Sequence, residues 1–178
     1  MSLSKTPYNL KLLFLLMFLF YLPPITGQNQ NGNERSVNIS ASATVIGGDI
    51  ELKTISDMGI IDAQRLQQEN IVYINPVFDP EAGIMRARGA PGALIRVSYL
   101  EEMEVTRREG PGKLFFVYEV SGYAGDNQRE SELLDQIERE LRLNDEGEFF
   151  FFIGGRVDLT EALPGNYDGE FTIEIEYI

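Results

Sequence analysis

The chain has 178 residues, 43% of them hydrophobic, and 15 basic against 28 acidic side chains give a formal net charge of −13. Such a surface repels nucleic acid and anionic membranes, favours solubility, and leaves cationic partners or divalent ions open. The absence of Cys and His removes disulfides, thiolate nucleophiles, lipid anchoring through an N-terminal Cys, the commonest zinc ligand and the commonest general base.

The N-terminus reads as a targeting segment. Lys5 and Lys11 supply a positive region, and Leu12–Leu22 form an apolar run of 11 residues closed by Pro23 and Pro24. At 1.5 Å per residue that run spans about 16 Å, about half of a bilayer core, which is short for an anchor. Thr26 and Gly27 follow, so the sequence predicts a signal peptide over residues 1–27 with cleavage before Gln28. Ile25 is bulkier than the residue usual three places before a cut. The polar stretch Gln28–Arg35 is expected to be a disordered leader. Residues 36–178 are expected to form one domain, a length that buries about 68–70% of its unfolded surface.

From Ser36 onward short apolar runs alternate with turn signals, the pattern of an all-β protein. Val37, Ile39, Ala41, Ala43 and Val45 alternate with polar residues up to a Gly47-Gly48 turn, and Asp49–Ile55 is a second strand. Asn70–Val77 is apolar at successive positions (Ile71, Val72, Tyr73, Ile74), which predicts a central strand covered on both faces. Strands follow at Ile84–Arg88 and Ala93–Leu100, separated by the turn Gly89-Ala90-Pro91-Gly92. The charged stretch Glu101–Arg108 is expected to be a loop or irregular edge, and Lys113–Val120 a strand.

Leu133, Ile137 and Leu141 recur every four residues between charges, so a short helix or loop insertion is predicted near 126–140, then a strand at Arg139–Leu143. Asp145-Glu146-Gly147 is read as a hairpin turn into Glu148–Ile153. That strand carries four consecutive phenylalanines, which demand cover on both faces or mark a partner surface. The chain closes with strict alternation: Phe171, Ile173, Ile175 and Tyr177 on one face, Thr172, Glu174, Glu176 and Ile178 on the other. Just before it, Pro164, Gly165, Tyr167 and Gly169 match the corner of Greek-key sandwiches, where a tyrosine hydroxyl ties back to the upstream backbone. The fold class expected is therefore all-β, an Ig-like Greek-key antiparallel β-sandwich, with those four residues as its structural corner.

Four blocks resemble a bacterial family of secreted domains, the domain of unknown function 4402 family. They are Asp57-Met58-Gly59; Ile74, Pro76, Ala82 and Gly83 with Gly89, Pro91 and Gly92; Glu146-Gly147 with Gly154-Gly155; and Pro164, Gly165, Tyr167, Gly169, Phe171 and Tyr177. The resemblance implies a β-sandwich behind a signal peptide, and no known activity or site. Ala162 departs from the corner pattern, which usually has leucine there, and the acidic 126–140 segment is a longer insertion than the family shows.

Chemistry is sparsely signalled. Paired carboxylates can cleave glycosidic bonds without histidine, but the acids at Glu101-Glu102-Glu104, Asp126, Glu130-Glu132 and Asp145-Glu146 read as solvated turns and faces. With only oxygen ligands available, calcium is the natural metal. Asp145-Glu146, Asp158 and Asp168 were the acids that could converge, yet no calcium-loop spacing is present. The expectation is no catalytic, metal or cofactor-binding residue and no cofactor. Phe115, Phe116, Tyr118, Phe149–Phe152 and Tyr167 are expected to fill the core, with a partner or carbohydrate face as the other use.

The resulting reading is an exported, non-enzymatic structural or adhesive module at the cell surface, in the periplasm or in the medium, including a surface-fibre subunit. Its partner is itself or another surface protein, with no nucleic acid and no stable membrane insertion. A soluble cation- or glycan-binding module is the alternative, and a carboxylate hydrolase the least favoured. Residues 37–45 are expected to pair within their own domain, exchange with a neighbour being the other outcome.

Overall fold

The computed structural model describes residues 35–46, 49–58, 70–134 and 139–178. All of them lie within one compact unit, Gly32–Ile178. The expected signal peptide, leader residues 28–34, the Gly47-Gly48 turn, Gly59 and Ile137 lie outside the described residues. Arg35, assigned to the leader by sequence, is instead the first residue of a strand.

The described residues form eleven strands: β1 (Arg35–Ile46), β2 (Glu51–Ser56), β3 (Ile71–Ile74), β4 (Gly83–Arg88), β5 (Leu94–Tyr99), β6 (Glu102–Arg107), β7 (Lys113–Tyr123), β8 (Glu132–Leu133), β9 (Arg139–Arg142), β10 (Glu148–Asp158) and β11 (Gly165–Tyr177). Helical structure among them is one 3-10 turn, Gln128–Glu130. No helix among them is long and apolar enough to cross a membrane. The fold is all-β, a sandwich made by folding one hydrogen-bonded sheet over itself. Its order is β2-β4-β10-β7-β6-β11-β5-β9, with β1 on β11, β3 on β10 and β8 on β7.

The fold-over happens at β6. Glu102–Thr106 pair with β7, while Thr106 and Arg107 pair with Asp168 and Tyr167 of β11. The two layers then face each other, and the Tyr118 ring of β7 meets Phe171 of β11 at 4.8 Å. The alternation of β11 is realised inside: Phe171, Ile173 and Ile175 are buried, and Glu174 and Glu176 are exposed. β1 runs parallel to β11 in unbroken register from Arg35↔Gly165 to Ile46↔Glu176. Its other edge touches the β2 side through the Ile39↔Met58 bridge, the Thr54 hydroxyl donating to the Ala41 carbonyl, and the Ala41 amide donating to Asp57. Every other pairing is antiparallel.

Three sequence expectations are corrected. The charged segment Glu101–Arg108 is not a loop, because β6 hides a two-residue period under its charges: Val105 is fully buried and Met103 half-buried, while Glu102, Glu104 and Thr106 point out. β3 is not covered on both faces; Val72 and Ile74 are buried, whereas Ile71 and Tyr73 remain 56% and 45% exposed. The insertion expected near 126–140 as a short helix or loop is, among its described residues, a loop with a 3-10 turn at Gln128–Glu130, and Leu133 is an exposed β8 residue. Finally, Asp145-Glu146-Gly147 is a tight turn, with the Gly147 amide donating to the Asn144 carbonyl at 2.9 Å, but not a hairpin. Its flanking strands part, β9 to β5 and β10 to β4 and β7.

The phenylalanine run is covered on both faces. Phe149 and Phe151 enter the main core, and Phe152, on the opposite side, is 1% exposed. Phe152 lies in register with Ser121, whose hydroxyl donates to the Pro76 carbonyl; Gln128 also donates to the carbonyls of Pro76 and Asp79. These bonds hold the segment between β3 and β4 over that end of the layer. β10 then continues through Gly154-Gly155. Gly155 has φ +142°, and a Cβ there would strike the Val117 carbonyl and the Phe116 ring. Gly155→Ala should destabilise the fold by about 1–3 kcal/mol, read as a lower urea midpoint. An unchanged midpoint would refute this account of the double glycine.

Candidate functional site

The sequence-predicted corner lies where the β6–β7 hairpin meets the start of β11. Tyr167, 1% exposed, donates its hydroxyl to the Leu163 carbonyl at 2.9 Å. Gly165 has φ +136° and sits against the Arg107 guanidinium, and a Cβ at Gly169 would strike the Val105 side chain. Pro164 is half-buried at the mouth of this joint. Ala162 is buried, Leu163 is exposed, and Leu159, fully buried, supplies the bulky side chain just upstream. The corner binds strands together.

Beside it, Arg108 grips Asp168 in a two-pronged pair, Nε–Oδ2 2.8 Å and Nη2–Oδ1 3.0 Å. The hydrogen bond from Arg108 holds the Asp168 carboxyl below its usual range. Asp158 accepts from the Thr160 hydroxyl at 2.6 Å and the Thr160 amide at 2.8 Å, and these bonds lower its pKa as well. Of the four acids read from sequence as able to converge, Asp158 and Asp168 are thus engaged locally, and Asp145 and Glu146 lie in the turn between β9 and β10. Among the described residues no group of three or more acids is placed to hold a metal. Tyr118 is the buried anomaly: its hydroxyl has no hydrogen-bond partner, and burial drives its pKa up.

What sequence reading missed is a patterned outer face on the β3-β10-β7-β6 layer. Register aligns Tyr73, Arg156, Val117 and Glu102 in one row across the strands. The next row holds Ile71, Asp158, Phe115 and Glu104, since Val157↔Phe116 sets Asp158 beside Phe115. Apolar ribs on β3 and β7 therefore alternate with a charged rib on β10 and an acidic rib on β6. Ile71, Tyr73 and Phe115 are each about half exposed, at 56%, 45% and 52%. The Tyr73 hydroxyl reaches Glu119 at 2.7 Å, past the bare backbone of Gly154 opposite Glu119. Burial, then this bond, pushes the Tyr73 pKa up to about 12. Lys113 donates to Glu104 at 2.8 Å with its ammonium 5.8 Å from the Phe115 ring centre.

Clefts border this arrangement of strands. One of about 580 Å³ adjoins this face and is lined by Lys113, Leu114, Phe115, Asp158, Thr160 and Glu161. Another, about 360 Å³, lies where the chain from β5 to β6 leaves the flank of β11, between Tyr99, Leu100, Met103, Thr172 and Glu174. Of the aromatics, Phe116, Tyr118, Phe149, Phe151, Phe152 and Tyr167 are interior and Phe115 is not. No protein-family model matches the chain. No curated protein matches it either.

Tyr167→Phe removes a buried hydrogen bond and should cost about 0.5–1.5 kcal/mol, measured by thermal unfolding; an unchanged melting temperature would contradict a structural role for the hydroxyl. Asp168 contributes stability above the ordinary carboxyl pKa of about 3.9, and loses it as pH falls through its lowered folded value. The melting-temperature gap between the native chain and Asp168→Asn should therefore be widest near neutrality and close below about pH 4. A gap that stays constant with pH would disprove the ion pair's contribution.

Proposed function

We propose that this chain is an exported, non-enzymatic Ig-like β-sandwich that serves as a structural or adhesive module at the cell surface or in the periplasm, and that it assembles into a surface fibre. The observation that carries this reading is β1. It is the first of the described strands, it lies along Gly165–Glu176 of the last, and that register is its main attachment. Against the β2 side it has only one bridge and two side-chain bonds among the described residues. A strand held this way leaves an equivalent vacancy on β11 when it departs, and the β1 of another copy supplies the same hydrogen bonds and the same buried Val37 and Ile39.

Export is supported by the positive, apolar and small-residue pattern of residues 1–27. The non-enzymatic reading is supported by a chain without His or Cys. The resemblance to the domain of unknown function 4402 family points the same way. A second reading, a soluble module that binds a cation or a glycan, is favoured by the exposed aromatic and acidic face.

Size-exclusion chromatography with light scattering on residues 28–178, with and without residues 28–46, tests the assembly. The longer chain is expected to give concentration-dependent oligomers that the shorter chain does not form. A folded monomer from both at all concentrations would exclude exchange through β1.

A further inference from the structure

We infer that the outer face of the β3-β10-β7-β6 layer, together with the cleft at its end, docks an extended basic segment of a partner protein through lysine or arginine side chains. Three observations converge. The face leaves Ile71, Tyr73 and Phe115 about half exposed, in ribs two strands apart, with charged side chains between. Sheet geometry puts those ribs about 10 Å from each other, a separation that an extended chain laid across the layer spans with a few residues.

The charge on the face is lopsided. Glu102, Glu104, Glu119 and Asp158, with Glu161 in the cleft, outnumber Lys113 and Arg156. The chain as a whole is at −13, so a second copy of this face is repelled and a basic partner is drawn in. Asp158 stays ionised through the physiological range, because Thr160 hydrogen-bonds its charged form.

The chain itself displays the kind of group the site accepts. The Lys113 ammonium sits between the Glu104 carboxylate, 2.8 Å away, and the Phe115 ring, 5.8 Å from its centre. Asp158, Thr160 and Glu161 border the cleft on its other side, where a second cation finds carboxylates and the Phe115 ring together.

The inference deepens the adhesive reading by giving its partner's chemistry, and rests on that reading only for its setting. β1 lies along β11 in the other layer, so the strand-exchange test and this one fail separately.

The test is fluorescence anisotropy of labelled deca-lysine titrated with residues 28–178 at low salt, beside fully acetylated deca-lysine. Phe115→Ala and the double variant Glu102→Gln/Asp158→Asn are each expected to weaken binding about tenfold. Glu170→Gln/Glu174→Gln removes the same charge from exposed positions of β11 and is expected to leave affinity within about twofold. The acetylated peptide is expected not to bind. Equal losses from both double variants would reduce the effect to net charge and overturn the proposal, as would absent binding. Retention of neutral oligosaccharides that Phe115→Ala abolishes, with peptide binding untouched, would overturn it in favour of a glycan.

Discussion

The hydrogen-bonding of β11 on both of its edges is the constraint on which the rest of the structure depends. One edge carries β1 in parallel along its full length, and the other carries β6 at its start and β5 at its end. A strand so placed is paired along one edge and at both ends of the other, and its inner side chains become the floor of the core. Tyr167, Phe171, Ile173 and Ile175 form that floor, each 1% exposed or less. The change of partner from β6 to β5 lets one sheet turn into two layers, because the chain joining those strands must leave β11 to reach β7. The cleft beside Tyr99 and Met103 is the gap left by that departure.

Aromatic packing locks the layers once they are stacked. Tyr118 contacts Phe116 and Phe171, and Tyr99 approaches Phe171 from the strand next to it. Tilted ring pairs at these separations add to the burial itself. Phe152 shows a second arrangement. It faces away from the main core, and the segment between β3 and β4 is drawn over its end of the layer by Ser121, Gln128 and the Ser131–Ser121 hydroxyl pair. The outer side of β7 thus changes character along its length, from exposed Phe115 to fully buried Ser121. Cover by the described residues ends midway, and the half they leave exposed is the patterned face.

Electrostatics divide along the same line. At the corner, Arg108 and Asp168 neutralise each other and Arg107 packs against glycine backbone, so charge there supports structure. On the outer face carboxylates exceed cations and stand beside exposed rings, an arrangement that contributes little to folding. Surface ion pairs such as Lys113–Glu104 are worth at most about 1 kcal/mol.

Alternation in the sequence determined the strands with one polar face, since a period of two is a local property of the chain. β1 and β11 were legible for that reason, as was the tyrosine placed to reach back over the Pro164–Gly165 bend. Less was legible where side-chain type and burial part company. Charges on β6 concealed Val105, and the apolar run Ile71–Ile74 could not reveal that only Val72 and Ile74 would find cover. Partners were not legible at all: that β1 would lie parallel to β11, or that the Asp145–Gly147 turn would send its strands to different layers, depends on contacts between residues far apart in the chain. The outer face belongs to this last kind. Its four ribs come from separate strands, and register alone, a product of the tertiary fold, sets Tyr73 in one row with Glu102 and Asp158 beside Phe115 in the next.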